Sequence, residues 1–256
     1  MAKAQVGVVI PDKHYRKPPV VEALCEVYFS ESEWNSTLPG KFYSKIEQEY
    51  PETKELQQVE AAVSVSAAAQ GAQFQIRGTR IQFINSDKSR IVQLEKDLIV
   101  VNQLRPYLKF REWQPVINTM IRSYSELAHP RGIKRMGMRY INEIELPPIP
   151  LHMQDYFRVY PQLPQEMGDE HGRFMVRMNV PPHHDHHELI ITFVLKTIKQ
   201  NEPTHFMLDL YDIIATEELF SLDQLDGLVR EAHENIVLAF ENSLTQKTKG
   251  MFEEAR

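Results

Sequence analysis

The sequence predicts an α+β fold of two topologically similar halves, each an antiparallel meander sheet with one short and one long amphipathic helix. Three observations predict it: runs of alternating polarity separated by turn dipeptides, two long segments with apolar stripes at helical spacing, and an order of elements that repeats. The expected boundaries are an extended arm over 1–18, a first repeat over 19–130 and a second over 131–256, with fusion into one domain left open. With 256 residues, 42% hydrophobic and 25% charged, the chain can bury a sizeable core in either arrangement.

In the first half, Pro18-Pro19 opens the alternating strand "VVEALCEVYFS". Leu38-Pro39 then starts a short helix with Phe42, Ile46 and Tyr50 on one face, ended by Pro51. A meander of about four antiparallel strands follows over 56–103, its pieces separated by Gln70-Gly71, Gly78, Ser86-Asp87 and Lys96-Asp97. A helical turn over Ala67 to Gln70 is an open alternative within it. "REWQPVINTMIRSYSELAH" carries Trp113, Val116, Ile117, Met120, Tyr124 and Leu127 at period 3.6, and Pro130 stops this long helix.

In the second half, "IKRMGMRYINEIELP" is a strand with Met136, Met138, Tyr140, Ile144 and Leu146 on one face and Arg135, Gly137, Arg139, Glu143 and Glu145 on the other. A short helix, "LHMQDYFRVY", ends at Pro161, and "RFMVRMNV", "ELIITFVLKTI" and "HFMLDLYDII" read as three further strands. Ser221 and Gln224 form a capping-box pattern before a long helix striped by Leu225, Val229, Ala232, Ile236, Phe240 and Ser243. The repeated order implies an internal duplication of helix-grip or saddle-like type, in which long helices lie across curved antiparallel sheets.

Composition narrows the function classes. The apolar runs are strand-sized and the first residues lack the apolar stretch of a signal peptide, so neither membrane insertion nor export is expected and the cytosol is the default. The single cysteine, Cys25, alternates with Val21, Ala23, Val27 and Phe29, which gives it a packing role. The net charge of −6 conceals a segregation. From Arg77 to Arg139 there are thirteen Lys/Arg against five Asp/Glu, a local net of +8 that leaves −14 elsewhere. Such a segment attracts phosphates or an acidic partner, or else faces the acidic remainder of its own fold or of a second subunit. The last case makes a homodimer self-complementary.

The stretch His183-His184-Asp185-His186-His187-Glu188 concentrates histidine, and His183, His184, His186 and His187 are its metal-ligand candidates. It follows Pro181-Pro182 between two strands, which places it at a hairpin tip where ligands lack the fixed geometry of a catalytic metal. Adventitious zinc or nickel binding fits better, and no cofactor is expected. Asp209 and Asp212 alternate to opposite faces of one strand, a poor arrangement for an acid–base pair. His233 is a boundary residue of the last long helix. The chain contains no HExxH, CxxC, GxSxG, Walker or GxGxxG motif, so an enzyme is not the expected class.

The arginines are the stronger lead. Arg77, Arg80, Arg105, Tyr107, Arg135 and Arg139 are the candidate ligand- or anion-binding residues: guanidinium groups on a sheet face hold carboxylate or phosphate bidentately, and Tyr107 offers a stacking surface. An internal ladder of arginines with carboxylates across the strands is the competing reading.

The segments "KPPVVEALCEVYF", "LRPYLKFREWQP", "RMGMRYINEIELP" and "AHENIVLAFENSLTQKTKGMF" resemble a sporadically distributed prokaryotic protein family with no settled biochemical role. The most specific piece is Gly137 with Arg139-Tyr140-Ile141-Asn142, joined to Leu104, Pro106-Tyr107 and Trp113. Its patchy distribution implies mobile or defence-related loci, and no catalytic residue carries over. The expected function is therefore a non-enzymatic binding or regulatory protein, an accessory, antitoxin-like or immunity component with a protein partner encoded nearby. The alternatives are recognition of a nucleotide or nucleic acid by the basic sheet face, and a metal-dependent hydrolase using the histidine run with His171 or His205.

Overall fold

The computed structural model describes residues 15–253 except 67–68, 149, 165, 167–171, 181–184 and 198–200, and describes 58–78 and 197 by their backbone alone. Among these residues the strands are β1 (Val20–Ser30), β2 (Glu52–Ser66), β3 (Ala69–Ile84), β4 (Arg90–Glu95), β5 (Leu98–Leu104), β6 (Gly132–Leu146), β7 (Met175–Val180), β8 (His187–Thr197) and β9 (Thr204–Phe220). The helices are α1 (Leu38–Ile46), α2 (Phe110–Ala128), α3 (Met153–Tyr156), α4 (Leu225–Ser243) and α5 (Gln246–Gly250). The fold is α+β, with an antiparallel sheet in the order β2-β3-β4-β5-β1-β6-β9-β8-β7. No helix among the described residues is long and apolar enough to cross a membrane. The chain divides into two compact units, one of Leu24–Met136 with Thr216–Asp226, the other of Met1–Ala23, Gly137–Ala215 and Gly227–Arg256.

In the first of these units, β1 alternates as its sequence requires and sends Cys25, Val27 and Phe29 into the core, where Phe29 stacks on Tyr124 of α2 with ring centroids 5.1 Å apart. Phe42 of α1 meets Phe83 of β3 at 5.5 Å, and Trp113, Ile117, Met120, Ile121 and Tyr124 bury one stripe of α2. His129 in the left-handed region (φ 42°) and the following Pro130 close that helix. The expected break at Gly78 does not occur. β3 runs through it, and the ladder steps from Gln58 opposite Gly78 to Val59 opposite Ile76, so Arg77 is the extra residue of a bulge. Ala69 and Gln70 belong to the strand rather than to a helical turn. Among the described residues β3 pairs with β4 over Ile81–Ile84 and with β2 over its full length, so most of the β2–β3 ladder is two-stranded there.

The other unit is organised by α4, whose Val229, Ala232, Asn235 and Ile236 are buried. The even-numbered residues of β9 from Thr204 to Ile214 are all buried, as are the odd-numbered residues of β8 from His187 to Leu195. Phe157, Phe193 and Phe206 close the core with centroids 4.6 to 5.6 Å apart. The expected helix over "LHMQDYFRVY" shrinks to the single turn of α3, because Phe157 leaves it to bridge Leu244. The capping box at Ser221 and Gln224 forms as expected, opening a 3-10 turn that leads into α4. Lys249 and Glu241, a buried ion pair at 3.1 Å, tie α5 back onto α4, and the Tyr15 hydroxyl donates to the same carboxylate at 2.7 Å.

Candidate functional site

Each described arginine candidate on the sheet meets a carboxylate of the fold. Arg80 of β3 donates to Glu95 of β4 at 3.0 Å, and Arg135 of β6 reaches Glu26 of β1 at 3.1 Å while lying over the Tyr28 ring at 4.9 Å. Arg139 grips Asp209 of β9 with two bonds of 2.8 and 2.6 Å, and the carboxylate is nearly fully buried. Arg105 is exposed at the corner after β5, and Tyr107 meets Trp113 edge-on at 6.4 Å. The side chain of Arg77 lies outside the described residues.

Five of the thirteen basic residues of the segment meet carboxylates in the same way. Lys88 faces Glu52, Arg90 faces Glu49, Arg131 faces Glu31, Arg135 faces Glu26 and Arg139 faces Asp209. All five carboxylates come from outside the segment, so much of the charge segregation read in the sequence is met within the fold. Several of these pairs are solvent-exposed and contribute little stability individually.

The histidine run divides. His183 and His184 lie outside the described residues, as does His171, and His186 is exposed in a turn with φ 70°. His187 corrects the expectation of a hairpin tip: it is the first residue of β8, and its side chain is only 2% exposed. The reason is phase. His187 alternates with Leu189, Ile191 and Phe193 on the face that α4 covers, so the strand carries it inward.

His187 Nδ1 lies 2.7 Å from a carboxylate oxygen of Asp212, fully buried on β9, and Glu231 of α4 stands 3.5 Å from Nε2. Asn235 Nδ2 lies 2.9 Å from Nδ1 and 3.4 Å from the second Asp212 oxygen. Burial pulls the imidazole toward its neutral form, but the hydrogen bond and charge of Asp212, helped by Glu231, outweigh it and hold the His187 pKa above the ordinary value. The group is a buried polar clamp between the sheet and α4, and its carboxylates favour the protonated imidazole. Among the described residues, no three His, Cys, Asp or Glu side chains are arranged to hold a metal ion.

Beside this clamp lies a cleft of about 410 Å³. Its walls are Val159, Val180, Leu189, Ile191, Leu238 and Ala239, with Asn235, Asn242 and Ser243 as polar members. This is the lower part of the size range for ligand sites, and its apolar walls suit a hydrocarbon side chain better than a charged one. β7, which contributes Val180, is an edge strand of the sheet. Its residues alternate between exposed Met175, Arg177 and Asn179 and half-buried Val176, Met178 and Val180, and Met175 is 70% exposed. Among the described residues no strand pairs with the outer side of β7, so its edge runs alongside an apolar trough, and the combination can accept an extended chain: backbone groups on the edge, one side chain in the trough.

Sequence reasoning missed this region because its polar members looked unrelated. One signal was present. His187, Asp212 and Asn235 each fall in phase with the apolar residues of their own element, and a polar residue in a core phase marks a buried polar contact. Neither a scan against protein-family models nor a search of curated proteins returns a match to this chain.

Proposed function

We propose that this chain is a non-enzymatic binding protein that takes an extended segment of a partner protein onto the β7 edge, with one apolar side chain of that segment seated in the adjoining cleft. The role is that of an accessory, antitoxin-like or immunity component of a prokaryotic defence or toxin-type locus. The prokaryotic locus and the cytosolic setting come from the resemblance and composition set out above.

The observation that carries the reading is an edge strand bordered, on the side its half-buried residues face, by an apolar cleft. Strand addition uses main-chain hydrogen bonds for affinity and pockets for alternate side chains for specificity. A segment laid outside β7 places every second side chain beside Val176, Met178 and Val180, and full burial of one such side chain is worth about 1.5–3 kcal/mol. Binding by the basic sheet face has less support, because Arg80, Arg135 and Arg139 already serve carboxylates of the fold. A duplicated architecture accords with the sheet order, which sets the opening strand of each half, β1 or β6, beside the closing strand of that half, β5 or β9.

Co-expression with the proteins encoded beside this gene tests the reading. The native chain should co-purify with one of them, and Leu238→Arg, which fills the cleft with a charged side chain, should abolish that while leaving the circular dichroism unchanged. Co-purification indifferent to Leu238→Arg would count against the cleft.

A further inference from the structure

Strand β7 has the chemistry to pair with itself. We propose that, in the absence of a partner protein, β7 is capped by β7 of a second copy of this chain, the two strands running antiparallel about a twofold axis at Met178. The proposal rests on β7 being an edge that accepts a strand, and adds that the resting form is a homodimer through that edge.

The register follows from elementary sheet geometry. Residues opposite one another in an antiparallel pair share a face, so a twofold-symmetric pairing of β7 must be centred on a residue. Centred on Met178, it sets Met178 against Met178 and Val176 against Val180 on the side of the cleft, and Arg177 against Asn179 on the other. Asn179 donates to the exposed carboxylate of Glu188 on β8, so each Arg177 would face an amide with a carboxylate directly behind it, twice by symmetry. Centring on Arg177 instead opposes two like charges, which is destabilising. Centring on Asn179 sets both Pro181 and Pro182 against β7 residues, where they lack the N–H to donate, whereas the Met178 register sets only Pro181, against the terminal Met175. Of these three registers, the one centred on Met178 opposes apolar with apolar and cation with acceptor over Val176–Val180.

A six-residue strand pair is small. Interfaces well below about 1,200 Å² belong to weak or transient complexes, so the dimer should be concentration-dependent and loose enough for a partner segment to displace it. Self-capping also protects an edge that would otherwise invite aggregation.

Sedimentation equilibrium of the purified full chain over a concentration series tests this. The mass should rise from the 29.9 kDa of one chain toward twice that value. Met178→Lys, which opposes two ammonium groups at the axis, should hold the chain at monomer mass throughout, with circular dichroism and melting temperature confirming its fold. Arg177→Glu should raise the midpoint concentration by about tenfold, since the attraction of each Arg177 to the Glu188 carboxylate behind the facing amide becomes a repulsion, twice by symmetry. The double variant Arg177→Glu/Glu188→Lys should restore it. A native chain that stays monomeric, a dimer indifferent to Met178→Lys, or a failed rescue would overturn the proposal. A monomeric chain that still co-purifies with its neighbour in a Leu238-dependent way would overturn self-capping alone. A β7 dimer that accepts no partner segment would overturn only the partner reading.

Discussion

Replacing Asp212 by asparagine keeps the shape of the side chain and removes the charge that holds the His187 proton. In the native chain Asp212 is fully buried, and its bond to His187 Nδ1 is 2.7 Å. Hydrogen bonds to a charged group contribute about 1.5–3 kcal/mol, and full burial with a short bond places this one in the upper half of that range, about 2–3 kcal/mol. The pKa of His187 is raised above its unfolded value near 6.5, so its protonation stabilises the fold fully below that value, and the contribution is lost as pH rises through the folded pKa. The deficit of Asp212→Asn against the native chain should therefore be largest in acid and narrow in base. At roughly 2–4 °C per kcal/mol for a chain of this size, the melting temperature should fall by about 5–10 °C at about pH 5.5 and by clearly less at about pH 9. Thermal melts of both proteins across that range measure it. An equal deficit at both ends, or a larger one in base, would refute a charged His187 clamped by Asp212.

Other consequences are simpler. Gly132→Ala should destabilise by about 1–3 kcal/mol in urea melts, because a Cβ there would lie 2.9 Å from the Phe220 carbonyl oxygen and 3.0 Å from the Leu219 Cβ, both with little room to yield. Trp113→Ala, which empties a fully buried position, should cost about 3–5 kcal/mol by the same measurement. Cys25 should resist a thiol reagent in the folded protein and react once it is unfolded, since burial pushes the thiol pKa up and the side chain has no exposed surface. Arg139→Lys should cost about 1 kcal/mol, because an ammonium cannot reproduce the two-bond grip on Asp209.

The parts of the fold legible in the sequence were those with strong periodicity. β1 alternates from Ala23 to Phe29 and α2 carries a stripe anchored by Trp113, so one period dominates in each. Gly78 misled because a glycine reads as a turn, whereas here it adjoins a bulge that the strand absorbs at Arg77. α3 lost most of its expected length because Phe157 gains more by joining Phe193 and Phe206 in the core than by extending a marginal helix. Arg135 and Arg139 were legible as neighbours on one strand face, but their carboxylate partners Glu26 and Asp209 lie on other strands and no local pattern links them. His187 was hidden by its neighbours. Four histidines in five positions suggested an exposed loop, while the phase shared with Leu189 and Ile191 gave the inward direction of that one side chain.

Hydrogen exchange along β7, measured on the chain purified together with any neighbouring gene product that it retains and on the chain alone as a Met178→Lys monomer, tests the proposed strand addition most directly. Strand addition predicts that Met175–Val180 gain amide protection in the complex, with the gain concentrated on that edge. Protection that rises elsewhere while β7 exchanges at the same rate in both samples would contradict it.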